Sequence, residues 1–195
     1  MTGMLKEPFG EVIKSRLDLY TVQAWEWNQY PTIGSCVCIQ ESPRTLCIVA
    51  TCETTSLDAN RVPRAYKKNI AELKAEHPHL FSLLHTTITC IPLLMLHDRP
   101  TIPNRPTTLH SFCSPCTIDE LHALIACPGY IKRIMQLSEP LSADQLISHH
   151  LHYLQQAGIL SKEILRKLVV TYMSAIGSDY KRISRFNETL CSLNL

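Results

Sequence analysis

Thr45-Leu46-Cys47-Ile48-Val49-Ala50-Thr51-Cys52-Glu53 is the stretch that decides how the first half of this chain folds. It holds neither Gly nor Pro, and Leu46, Ile48 and Ala50 alternate with Cys47, Val49 and Thr51. A strand sends successive side chains to opposite faces, so a two-residue period predicts β structure. Upstream, Tyr20, Val22 and Ala24 alternate with Thr21, Gln23 and Trp25 in the same way. Residues 10–14, 19–27, 34–40 and 45–53 are therefore the first four predicted strands. Asn28-Gln29-Tyr30-Pro31 and Glu41-Ser42-Pro43-Arg44 between them carry turn chemistry. Short strands joined by tight turns point to a closed barrel or a sandwich, because closure leaves no unpaired edge to aggregate.

Further on, residues 54–66 are polar and read as a long loop. Residues 67–76 carry Ile70 and Leu73 at helical spacing, and Pro78 can open a second short helix through residue 84, since a first-turn proline sacrifices no hydrogen bond. This is a helical insertion near 67–85. β character returns over 86–96, where Pro92 cannot donate to a ladder and so marks an edge or a bulge. Three prolines stiffen residues 97–106, and residues 107–113 read as a final strand.

After Pro115 the period changes. Thr117 with Glu120 forms a capping box, predicting a helix from about residue 118 that Pro128-Gly129 ends. A short helix over 130–137 follows. Ser142 then caps a helix running to Gln156, with Gly158 as its stop, and Ser161 caps the next. In that next helix Ile164, Leu165, Leu168, Val169, Tyr172 and Ile176 make one apolar stripe, opposite Lys162, Glu163, Arg166 and Lys167, and Gly177 closes it. Tyr180, Ile183, Phe186, Leu190 and Leu193 repeat the pattern, so the last helix should dock. The predicted fold class is α+β: an N-terminal closed antiparallel β-barrel with a helical insertion over 1–115, then a C-terminal α-helical subdomain over 116–195.

Composition agrees with a folded chain. Of 195 residues, 45% are hydrophobic and 18% charged, the balance of a globular core. The most apolar run, 88–96, is far short of the ~20 residues a bilayer helix requires, so no membrane insertion is expected. Residues 1–6 lack the pattern of a secretory signal, which makes the cytoplasm the expected location. There the nine cysteines stay reduced, most of them as small buried hydrophobes such as Cys36 and Cys38. A net charge of +2 argues neither for nor against nucleic acid.

Gly10-Glu11-Val12-Ile13, Pro31-Thr32-Ile33-Gly34-Ser35 and the loop Thr55-Ser56-Leu57-Asp58-Ala59-Asn60-Arg61-Val62-Pro63-Arg64-Ala65 follow one another in that order. In this the chain resembles the HAS-barrel family, whose barrel is similar to the N-terminal domains of HerA-type DNA-translocating ATPases and of the catalytic subunits of rotary ATP synthases. The likeness to small stand-alone bacterial members extends through Leu109-His110-Ser111-Phe112 and the helices that follow. It implies a barrel used for assembly, packed side by side in rings. A motor would need a phosphate-cradling loop ending in Gly-Lys, and none of the six glycines is followed by lysine.

Several constellations bear on chemistry. Cys113-Ser114-Pro115-Cys116 is a lone pair of thiols, and tetrahedral zinc would need two more ligands, for which His110, His122 and Cys127 are near in sequence. Inert buried cysteines are the preferred reading. His149 and His152 share a helical face but lack further ligands, and His150 should pack partly beside Leu146 and Leu154. No nucleophile stands with a base at meaningful spacing. Arg61, Arg64, Lys67 and Lys68, with Tyr66, form the densest basic stretch, which could meet phosphates; the blander reading pairs Arg61 with Asp58 and leaves the lysines solvated. Lys181, Arg182 and Arg185 read as the wet side of the last helix.

The expectation is a non-catalytic binding or assembly module with no cofactor, docking a protein partner through the barrel; an ATPase ring is the partner the resemblance implies. A nucleic-acid-binding barrel using the loop at 61–68 is the first alternative, and a zinc- or thiol-dependent enzyme the second. A homo-oligomer is also open to it.

Overall fold

The computed structural model describes residues 7–57, 65–136 and 142–193. Its six strands are β1 (Gly10–Ser15), β2 (Tyr20–Ala24), β3 (Cys36–Gln40), β4 (Arg44–Ser56), β5 (Leu84–Leu96) and β6 (Phe112–Pro115). They close in the order β1-β2-β5-β4-β3-β6, every pair antiparallel. Cys47 and Val49 of β4 turn into the lumen, where they meet Val12, Tyr20, Val22, Val37, Ile39, Ile88, Cys90 and Cys113. Leu46, Ile48 and Ala50 turn outward, yet they too are buried, because helices cover that wall. A strand apolar on both faces is what a wall between two cores requires, and each large aliphatic side chain there contributes about 2 kcal/mol of burial.

β4 and β5 are much longer than their neighbours. β4 runs on to Ser56, where a loop from residue 54 was expected, because Thr54 pairs with Thr86 and Ser56 with Leu84. The Thr54 and Thr86 hydroxyls lie 2.6 Å apart across this ribbon. At its far end stand α1 (Ile70–Glu76) and α2 (His79–Ser82), the expected helical insertion. Asn69 and Glu72 form a reciprocal capping box that starts α1. Pro92 sits where the ladder asks nothing of it: the pairing of β2 with β5 stops at Cys90, and the register with β4 slips beside Leu93.

The last strand starts later than the sequence predicts, at Phe112 and not at 107. Glu41 captures the Thr107 and Thr108 hydroxyls, the Ser111 amide turns back to the Thr108 carbonyl, and His110 takes a left-handed φ of 67°. Bonds to Glu41 and within this turn keep Thr107 and Thr108 out of a β ladder, while His110 and Ser111 still exchange backbone bonds with Val12 of β1.

The helices after the barrel are α3 (Ile118–Ala126), α4 (Tyr130–Met135), α5 (Ala143–Gln156), α6 (Lys162–Ile176) and α7 (Tyr180–Ser192). Their starts follow the expected caps: Thr117 with Glu120 for α3, Ser142 for α5 and Ser161 for α6. Leu121, Leu124, Ile131, Ile134, Leu146, Leu151, Leu154, Leu168 and Tyr172 share one core with the outer face of β3, β4 and β5. Polar ties cross the same boundary. Arg44 of β4 reaches Glu120 at 2.8 Å, and Arg133 donates to the carbonyls of Pro92 at 2.5 Å and Leu17 at 3.1 Å.

Two readings of α7 are corrected. Arg182 is not on a wet face: its guanidinium grips both oxygens of Asp144, at 2.6 and 2.9 Å, and Asp144 also accepts from the Tyr172 hydroxyl. Its helical neighbour Tyr180, expected in the docked stripe, stands 81% exposed. Docking instead centres on Phe186, stacked on Tyr172 with ring centroids 4.0 Å apart.

Candidate functional site

The residues proposed as metal ligands do not converge. Cys113 lies in the barrel lumen, whereas Cys116 packs outward against the helical core. An odd offset along a strand sends two side chains to opposite faces, so this spacing separates the thiols. His110 is exposed and pairs with Glu11 at 3.2 Å, while Cys127 caps the far end of α3. Among the described residues no group of three or more His, Cys, Asp or Glu could hold a metal ion. Burial pushes the thiols of Cys113 and Cys116 well above their ordinary range, which leaves them protonated and poor nucleophiles.

The three histidines of α5 take separate roles. His149 is exposed, and His152 reaches the Ser192 hydroxyl at 3.1 Å. His150, expected to be partly packed, is wholly buried. A carbonyl oxygen only accepts, so the His150 Nδ1–H donates to Gly34 at 2.9 Å, and its Nε2 accepts from the Tyr130 hydroxyl at 3.0 Å. Burial depresses its pKa to about 4, keeping the ring neutral. Both nitrogens are occupied and no solvent reaches the ring. His150 therefore welds helix to barrel and has no free nitrogen to offer a substrate.

With a lumen filled by side chains, groups able to meet another molecule stand on the outside. The helices cover β3, β4 and the second half of β5, leaving bare the wall formed by β1, β2 and the start of β6. On it Trp25 is 52% and Phe112 48% exposed, and their rings meet edge to face with centroids 5.3 Å apart. Glu11 lies in register with both Gln23 and Phe112, so these side chains share the wall. Ile13 and Leu109 are also exposed, at 41% and 51%. Sequence reasoning passed over this patch, although its signal was present: Trp25 falls on the polar phase of the alternation, with Thr21 and Gln23, and so must face away from the lumen. Phe112 carried no such signal, because its phase depends on the delayed start of β6.

The basic stretch divides. Asp58, Arg61 and Arg64 lie outside the described residues. Lys67 and Lys68 stand exposed ahead of α1, and Lys68 pairs with Glu76. Rings cluster around the same insertion. Tyr66 approaches His77 at 5.7 Å between centroids, His77 approaches His79 at 5.9 Å, and Trp27 approaches Phe81 at 5.6 Å. The Lys74 ammonium lies 5.5 Å from the centre of the Phe81 ring.

A shallow open groove at the other end of the β4–β5 ribbon is lined by Ser42, Pro43, Leu96, His97, Asp98, Arg99 and Thr101, and among the described residues no hydrogen bond joins its Ser42 or Thr101 hydroxyl to the His97 ring. Among the described residues, no helix is long and apolar enough to cross a membrane. No family model matches the chain, and no curated protein matches it.

Proposed function

We propose that this protein is an assembly module whose bare barrel wall, centred on Trp25 and Phe112, docks a partner protein. The observation that carries this reading is the placement of two large aromatic side chains, each about half exposed and in mutual contact, on the wall that the chain's own helices leave uncovered. Exposed aromatic residues at the centre of a patch are the anchors of protein interfaces, since they bury much area at little cost in side-chain entropy. Gln23, Glu11 and His110 around them supply the polar rim such a patch needs. The resemblance to HAS-barrel proteins makes a ring-forming ATPase the first partner class to test. Conversion of chemical substrates is not part of this reading, because Cys113 and His150 are sealed in the core.

A photo-crosslinking residue placed at Gln23, in living cells, should give a discrete adduct that disappears when Trp25→Ser and Phe112→Ser are introduced together. The same residue placed at exposed Val170 of α6 should give none. Absence of any adduct from position 23, or an adduct indifferent to the loss of both rings, would sink the proposal.

A further inference from the structure

The insertion at the end of the β4–β5 ribbon is built unlike the rest of the molecule. None of the residues of α1 or α2 is buried, so these two helices do not serve the core. Rings and cations gather around them, with Tyr66, Lys67, Lys74 and His79 exposed and Trp27, His77 and Phe81 half-buried. Tyr66, His77 and His79 form a chain of neighbouring rings, and Trp27 with Phe81 forms a second group crossed by the Lys74 ammonium.

The charge balance of the insertion is one-sided where it is free. Over residues 65–85 there are three lysines, Lys67, Lys68 and Lys74, against two carboxylates, Glu72 and Glu76. Both carboxylates are engaged within the insertion, Glu72 by the Asn69 amide at 3.1 Å and Glu76 by the Lys68 ammonium. Lys67 and Lys74 make no ion pair among the described residues and stand exposed beside the rings.

We propose that this crest binds single-stranded nucleic acid, with bases stacking on Tyr66, His77, His79 and Phe81 and phosphates meeting Lys67 and Lys74. Alternating ring faces and cations match a flexible polyanion that carries its own flat rings, and such stacking tolerates any sequence because every base has a π face. A duplex hides those faces, and α1, with seven residues, is too short to read a groove. The residues proposed to bind here do not include Trp25 or Phe112, so the substitutions that test the two proposals are different.

Fluorescence anisotropy of labelled oligothymidylate with the full chain tests this. Affinity should fall with salt, and Lys67→Ala with Lys74→Ala should flatten the log–log slope by about 1.4, the value for two single-strand phosphates. Tyr66→Ala with His79→Ala should weaken binding about tenfold or more while leaving that slope unchanged. All four side chains are solvent-accessible, so circular dichroism should confirm that the variants stay folded. Failure to bind at low salt would overturn the proposal. So would equal affinity for a duplex, or binding of base-free heparin that competes fully and ignores the ring substitutions.

Discussion

Gly34 presses against His150 so closely that a Cβ on the glycine would stand 2.6 Å from the His150 backbone nitrogen. The contact joins the loop before β3 to the middle of α5, and the Gly34 carbonyl accepts the hydrogen bond from the same histidine. Gly34 also holds a φ of 81°, in the left-handed region that side chains disfavour.

Gly34→Ala should therefore be among the most damaging single changes to stability. The methyl group must displace helix backbone, not a flexible side-chain end, and it adds left-handed strain. A loss of about 3 kcal/mol is expected. The urea midpoint should fall accordingly, and Gly158→Ala, also at positive φ but with open space around it, should cost less than half as much.

Acid should loosen the same joint. With the folded pKa of His150 near 4 and the unfolded value near 6.5, the unfolded chain binds more protons between those limits. Stability should then be fully present above pH ~6.5 and drain away as pH falls toward 4, by about 3 kcal/mol in all. Urea unfolding at a series of pH values should show this slope. His150→Leu should remove most of it, whatever its effect on stability at neutral pH.

Thiol accessibility should sort the cysteines by burial and not by their spacing in sequence. Cys191 on α7 is exposed, whereas Cys36, Cys38, Cys47, Cys90 and Cys113 are buried. A colorimetric thiol reagent should find one fast group in the native protein, lost on Cys191→Ser, and all nine after denaturation. A fast phase that instead disappears on Cys113→Ser would revive a reactive-thiol reading.

Much of this architecture could be read from letters because the determinants are local. The capping boxes at Thr117 and Glu120, the stripe from Leu168 to Ile176 and the alternation through β4 each report their own backbone. Two of the misreadings share one cause. Thr107 and Thr108 leave the strand because Glu41, 66 and 67 positions away, captures their hydroxyls. Arg182 turns from open solvent to an ion pair because α5 brings Asp144 within reach. Neither partner is visible in a window of ten residues.

The chain's periodicities by themselves determined that six apolar strands would be followed by amphipathic helices, since strand and helix periods are properties of consecutive residues. Only the tertiary structure decided what each buried or exposed group is for. It parted Cys113 from Cys116 across a barrel wall, sealed His150 between Gly34 and Tyr130, and left Trp25 against Phe112 in the open. The physical reason is that burial and contact depend on which wall the helices cover, a choice made by packing between segments distant in sequence.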